Sequence, residues 1–208
     1  MLTLYYTPGT CALASHICLE EAGAEYEARR VDFAKQEQRQ PAYLAINPKG
    51  RVPALVTPSG VLTETPALLV YIAQSFPQAR LAPLADPFAL ARVQELNSFL
   101  CSTLHVAHAH RMRGHRWADD PDAIAEMKRK VPETVAAGFD YIERHAFVGP
   151  YVMGETYTIA DPYLFTLARW MEGDEVDPAR FPKVAAHREM MGERPAVRRA
   201  LAMQLANG

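Results

Sequence analysis

The residues best suited to chemistry stand at four places in this chain. Cys11 follows the turn Thr7-Pro8-Gly9-Thr10 and opens a helix, where backbone N–H groups and the helix dipole favour a thiolate. It also lies on the C-terminal side of a strand, where ligands collect in open α/β sheets. Ala14 stands three residues on, so there is no Cys-x-x-Cys pair and any redox work is monothiol. Residues 46 to 55 form a fixed loop entering a strand, with a turn at Asn47-Pro48, a permissive backbone at Gly50, and an extended Val52 before Pro53. A cis Val52-Pro53 bond would turn the Val52 N–H and C=O outward as a peptide-docking edge, whereas a trans bond would leave an ordinary loop. Glu64 and Thr65 sit where a helix starts, either as an anion-binding terminus or as a plain N-cap. Finally, on a helix over 89 to 112, Gln94, Ser98, Cys101, His105, His108 and Met112 share a face too polar for core and too sparsely charged for open surface. That face is expected to line a cleft. Cys101, His105 and His108 also have the spacing of metal ligands, although no fourth ligand is evident and no metal is expected.

These residues need elements to hold them. Leu2 to Tyr6 reads as a strand, Cys11 to Ala22 as a helix with Leu13, Ile17 and Cys18 at helical spacing and Gly23 at its end, and Tyr26 to Phe33 as a second strand. Tyr43 to Ile46 reads as a short helix, Ala54 to Thr57 and Val61 to Leu62 as a hairpin, and the stretch from Thr63 or Glu64 to about Ser75 as a helix with Leu68, Tyr71 and Ile72 inward. The order is β-α-β-α-β-β-α. Pro77, Pro83 and Pro87 without a sustained period mark a linker, placed at 78–87 between domains 1–77 and 88–208. Beyond it only helices are predicted. Leu90, Val93, Leu96, Leu100, Leu104 and Ala107 step along the first. Ile124, Met127, Val131, Val135 and Ile142 line another, which opens at Asp120-Pro121 and kinks at Pro132. A capping pattern at Thr158 to Asp161 precedes a helix over Tyr163 to Met171, and two short helices flank Pro195.

Composition narrows the partners. At 208 residues, 49% hydrophobic and a net charge of −2, the chain suits one large or two small globular domains with no nucleic-acid or membrane partner. The start at Leu2-Thr3-Leu4-Tyr5-Tyr6 has no leader pattern, and three cysteines form no paired framework, so a cytoplasmic location is expected.

Four motifs then bring a family into view: Leu4-Tyr5-Tyr6-Thr7-Pro8-Gly9-Thr10-Cys11, Asn47-Pro48-Lys49-Gly50-Arg51-Val52-Pro53-Ala54-Leu55, Thr63-Glu64-Thr65 and Thr158-Ile159-Ala160-Asp161-Pro162-Tyr163. In order and register they resemble the signatures of the cytosolic glutathione S-transferases, and Cys11 with a histidine in the first long helix of the second domain resembles the bacterial beta class. The resemblance implies an α/β thioredoxin-like N-terminal domain (βαβ-αββα) plus an all-α C-terminal domain, a homodimer, and detoxification chemistry. Glutathione would be a co-substrate, with no other cofactor, and a small hydrophobic or electrophilic molecule the second substrate. Thr65 departs from the usual serine or glycine but keeps a hydroxyl.

By that resemblance, Thr65 and the first-turn N–H groups take the γ-glutamyl carboxylate and Glu64 the ammonium. Val52, beside Pro53, pairs with the cysteinyl part, and Lys35 or Gln36 reaches the glycyl carboxylate. Cys11 ranks first as the group acting on the glutathione sulfur, by mixed disulfide or by hydrogen bond, ahead of Thr10, Tyr5 and Tyr6. His105 approaches the same sulfur, and Ser102 and Thr103 match contacts made by a partner subunit. Alternatives on the same scaffold are a glutathione-dependent reductase, isomerase or dehalogenase, and a non-catalytic interaction module.

Overall fold

The computed structural model describes residues 1–206. Its opening strand β1, Leu2–Tyr6, leads into helix α1, Ala12–Ala22, which ends at Gly23 in the left-handed conformation. Strand β2, Tyr26–Arg30, is shorter than the expected run to Phe33. The cause is local: the Asp32 carboxylate accepts from the N–H groups of Ala34 at 2.9 Å and Lys35 at 3.3 Å, and this turn replaces the ladder. Helix α2, Pro41–Leu44, begins ahead of the predicted Tyr43 because Pro41 suits a first helical position. Strands β3, Ala54–Thr57, and β4, Gly60–Thr63, and helix α3, Thr65–Ser75, follow. The strand order is β2-β1-β3-β4, with β1 and β2 parallel and the other pairs antiparallel, the mixed sheet of a thioredoxin-like domain.

The rest of the described chain is helical apart from an isolated bridge between Tyr151 and Gly154. Helix α4, Pro87–Phe99, runs through a π turn at Leu100–Leu104 into α5, His105–Arg113. Val93, Leu96, Leu100, Leu104 and Ala107 are buried, as their spacing requires. The single kinked helix expected around Pro132 is instead two, α6, Pro121–Arg129, and α7, Val131–Tyr141. Pro132 lies in the first turn of α7, where its missing N–H breaks no bond. Helix α8, Ala160–Ala168, starts before the expected Tyr163, and α9, Pro182–Glu193, and α10, Pro195–Ala206, complete the chain. These last two are the short helices expected on either side of Pro195, which takes the first position of α10. Among the described residues no helix is long and apolar enough to cross a membrane.

Helix α1 joins the two halves. Every residue from Ala12 to Leu19 is buried, not merely the stripe of Leu13, Ile17 and Cys18, because α1 packs against α3 beside the sheet and against α8 and α10 beyond it. The bidentate pair of Arg194 with Glu21, at 2.6 and 3.0 Å, fastens the start of α10 to it. The N-terminus of α1 is thereby held in place between the sheet domain and the helices.

Candidate functional site

The turn before α1 places Cys11. Thr10 donates to the Thr7 carbonyl from its N–H at 3.3 Å and its hydroxyl at 2.7 Å, so that hydroxyl is spent on closing the turn. Cys11 then takes the N-cap position with helical angles and no side-chain cap. Its thiol donates to the Val52 carbonyl at 3.7 Å, and the Thr65 side chain stands near enough to its sulfur to draw its pKa down. Burial pushes the thiol up to about 11, outweighing Thr65 and the Arg113 guanidinium, which both pull it down. The stabilised thiolate expected at a helix start is therefore overruled by desolvation. Iodoacetamide labelling of Cys11, followed by peptide mass spectrometry, is expected to accelerate about tenfold per pH unit from pH 7 to 10. A plateau below pH 9 would show a thiolate that burial does not suppress.

Val52 is presented by a braced loop. Asn47, 1% exposed, donates to the Arg51 carbonyl at 2.7 Å and accepts from the Lys49 N–H at 3.1 Å, while the Tyr43 hydroxyl donates to the same Arg51 carbonyl at 2.6 Å. The Val52-Pro53 bond is cis, and the Val52 N–H donates to no protein atom among the described residues. Across from it, Glu64 has φ 73°, ψ 120°, a conformation rare for a residue with a Cβ and costing about 1–3 kcal/mol. The Lys49 ammonium holds that residue from outside, at 2.5 Å from Glu64 Oε1 and 2.9 Å from Thr63 Oγ1. Thr65, 4% exposed, begins α3.

The second domain closes over these groups. His105 Nδ1 lies 3.3 Å from the Tyr163 hydroxyl; burial raises the pKa of the Cys101 thiol, and Tyr163 partly offsets that rise. Burial, assisted by His108, Arg113, Arg116 and Arg51, lowers His105 to about 4, so its imidazole is neutral at pH 7. His108 turns away to the buried Asp174, at 2.6 and 2.8 Å, and stacks on Trp170 with centroids 4.1 Å apart. Trp170 in turn donates to the Gly9 carbonyl at 3.2 Å, tying the second domain to the turn before Cys11. Cys101, His105 and His108 thus have different partners, and no group of three potential metal ligands occurs among the described residues.

Cys11, Val52, Thr65, Cys101, His105 and Tyr163 are therefore linked through contacts or charge across the two domains. The other candidates lie elsewhere. The Tyr5 hydroxyl accepts from Arg29 at 3.2 Å, and the Tyr6 hydroxyl crosses the core to the Met203 carbonyl at 3.4 Å. The Lys35 side chain is 74% exposed and pairs with Asp32 at 3.4 Å. Ser102 donates to the Ser98 carbonyl at 2.8 Å, and both Ser102 and Thr103 face outward. Of the predicted polar face, Ser98 and Met112 are exposed, because the π turn at Leu100–Leu104 shifts the helical phase between its ends. Lys49, Tyr163 and Trp170 escaped the sequence reading. Tyr163 reads as one more apolar helix position, and no local pattern announces the long-range bond of the Trp170 N–H.

Residues 1–74 match the family model described as glutathione S-transferase, N-terminal domain, and residues 108–204 match the corresponding C-terminal domain. Glutathione S-transferase GstA of Escherichia coli O157:H7 is 32% identical to this chain over 98% of each sequence. A glutathione transferase homologue from Sulfitobacter, crystallised with bound glutathione, is 49% identical over 98% of each chain, with a TM-score of 0.95. The bacterial beta-class enzyme of Sphingomonas chungbukensis is 32% identical, covers 97% of this chain and 98% of its own, and superposes with a TM-score of 0.84.

Proposed function

Because this chain belongs to the glutathione S-transferase family, we propose that Cys11, Val52, Glu64, Thr65 and His105 form its glutathione site, and that Cys11 works as a protonated hydrogen-bond donor. The protein is a glutathione transferase, and the meeting of the α1 and α3 N-termini beside the Val52 edge is the observation that carries this site. The Thr65 hydroxyl and the first-turn N–H groups of α3 receive the γ-glutamyl carboxylate, and Glu64 its ammonium. The free Val52 N–H pairs with the cysteinyl residue, as an added strand would. That leaves the glutathione sulfur at the start of α1. A thiol with a value near 11 stays protonated at neutral pH and donates S–H to the glutathione thiolate, which attacks the electrophile. Neutral His105 takes part as a hydrogen-bonding group.

The division into domains 1–77 and 88–208 belongs to the same reading, as does a cytoplasmic homodimer. The exposure of Ser102 and Thr103 supports a contact there with a partner subunit, and three free cysteines suit a reducing compartment.

Intact mass before and after reductant, with conjugation kinetics of Cys11→Ala, tests the role of Cys11. No releasable glutathione and an approximately tenfold drop in kcat are expected, in line with one lost charge-assisted hydrogen bond. An adduct on Cys11, with disulfide reduction lost in the variant, would replace this reading with covalent thiol exchange. Undiminished conjugation would make Cys11 a spectator.

A further inference from the structure

We infer that Asp174 and His108 are positioning residues for the transferase reaction: through the Trp170 indole they hold the turn that presents Cys11, and so they set turnover rather than glutathione affinity. This rests on the transferase reading and adds to it residues outside the four sequence motifs.

Each link of the chain is a direct contact. The Asp174 side chain, 1% exposed, places its carboxylate 2.6 and 2.8 Å from His108 Nδ1 and 3.5 Å from Arg111 Nε. A buried carboxylate must keep such partners, so α5 is pinned to the turn Glu172–Asp174 that follows α8. Gly173 lets that turn come close, since a Cβ there would collide with the Arg111 guanidinium. The same turn carries Trp170, whose carbonyl accepts from the Asp174 N–H at 3.0 Å. The His108 imidazole lies on the indole, with centroids 4.1 Å and planes 24° apart, and the indole N–H donates to the Gly9 carbonyl at 3.2 Å. Gly9, with φ 74°, stands two residues before Cys11 in the turn that Thr10 closes on Thr7. His105 packs against the same indole, centroids 5.2 Å apart. Trp170 therefore touches both the turn that carries Cys11 and the histidine assigned to the glutathione sulfur.

Glutathione itself is held by other elements. Asn47 and Tyr43 brace the loop before Val52, and Glu64 and Thr65 belong to the start of α3. Loosening Trp170 should leave the peptide bound while Cys11 and His105 drift from its sulfur, and a small misplacement of such groups costs rate. A purely structural role for the same cluster has a different signature. It lowers stability and leaves the rate per folded molecule unchanged.

Conjugation kinetics and calorimetric glutathione binding of the intact chain, Asp174→Asn, Trp170→Phe and the double variant separate the two. Each single variant is expected to lose about tenfold in kcat with glutathione Kd within about threefold, and the double variant to lose about tenfold rather than about a hundredfold, because both changes break one chain of contacts. His108→Gln keeps a donor for the buried carboxylate and removes only the ring. It should show the same loss, and it carries the test if Asp174→Asn does not fold. Trp117 is the other tryptophan of the chain, so in a Trp117→Phe background the emission is that of Trp170. Its quenching by acrylamide should rise in Asp174→Asn and in His108→Gln. Parental kcat in both of these variants overturns the inference and leaves the transferase reading standing. Losses that multiply in the double variant overturn it too, as does a glutathione Kd that rises by the factor by which kcat falls. If the parent protein neither binds glutathione nor conjugates it, the transferase reading fails and takes the inference with it.

Discussion

Replacing Asp161 by alanine is expected to remove about 3–5 kcal/mol of stability, lowering the melting temperature by roughly 6–20 °C for a chain of this size. Asp161 and His187 are both fully buried. One carboxylate oxygen of Asp161 accepts from the Val152 N–H at 2.9 Å and lies 2.9 Å from His187 Nε2. The other accepts from the Thr158 N–H at 2.6 Å and its hydroxyl at 3.2 Å. A single side chain thus caps the start of α8, pins the segment before it and anchors α9. Alanine would strand two backbone N–H groups and an imidazole away from water, each of them costly to leave unpaired. Since α8 packs on α1, the damage should reach the helix that carries Cys11 at its start. Asp161→Asn, which keeps acceptors for part of the set, should lose less. Chemical denaturation gives the number, and an alanine variant within about 1 kcal/mol of the parent would show that this network stabilises little.

Thr65→Val is expected to raise the Kd for glutathione by about ten- to a hundredfold while moving the unfolding free energy by no more than about 1 kcal/mol. Valine reproduces the shape of a residue only 4% exposed but removes the hydroxyl that lowers the Cys11 pKa. Two effects should coincide. The γ-glutamyl carboxylate loses its side-chain donor, and the Cys11 thiol loses a group that draws it down. Thr65→Ser should restore most of the affinity, because it keeps the hydroxyl and gives up only a methyl group. Affinity within twofold of the parent in the valine variant would mean that the α3 backbone alone receives the ligand, with the hydroxyl merely filling space.

These two residues also differ in how readable they were. Asp161 belongs to a local pattern, Thr158 to Asp161, whose spacing announces a helix start whatever surrounds it. Its bond to His187 spans 26 positions, and no local pattern announces that contact. Thr65 was recognisable as a residue at a helix start, and its resemblance to a family signature pointed to a carboxylate. Its contact with Cys11 depends on how α1 and α3 are packed beside one sheet.

What the sequence by itself determined follows from interactions between near neighbours. Alternating strands, proline and glycine breaks, capping residues and the apolar step of α4 are all written within a few residues, and they set the order of elements and the two kinds of architecture. The four motifs carried the family for the same reason, being short and contiguous. Only the tertiary structure decided which side chains meet. It set Tyr163 beside His105, bound Trp170 to Gly9, and turned Tyr5 and Lys35 toward Arg29 and Asp32. It also reversed the expectation for Cys11. A helix N-terminus favours a thiolate through dipoles that the local sequence announces, but the cost of removing that thiolate from water depends on everything packed around it, and here burial is the larger effect.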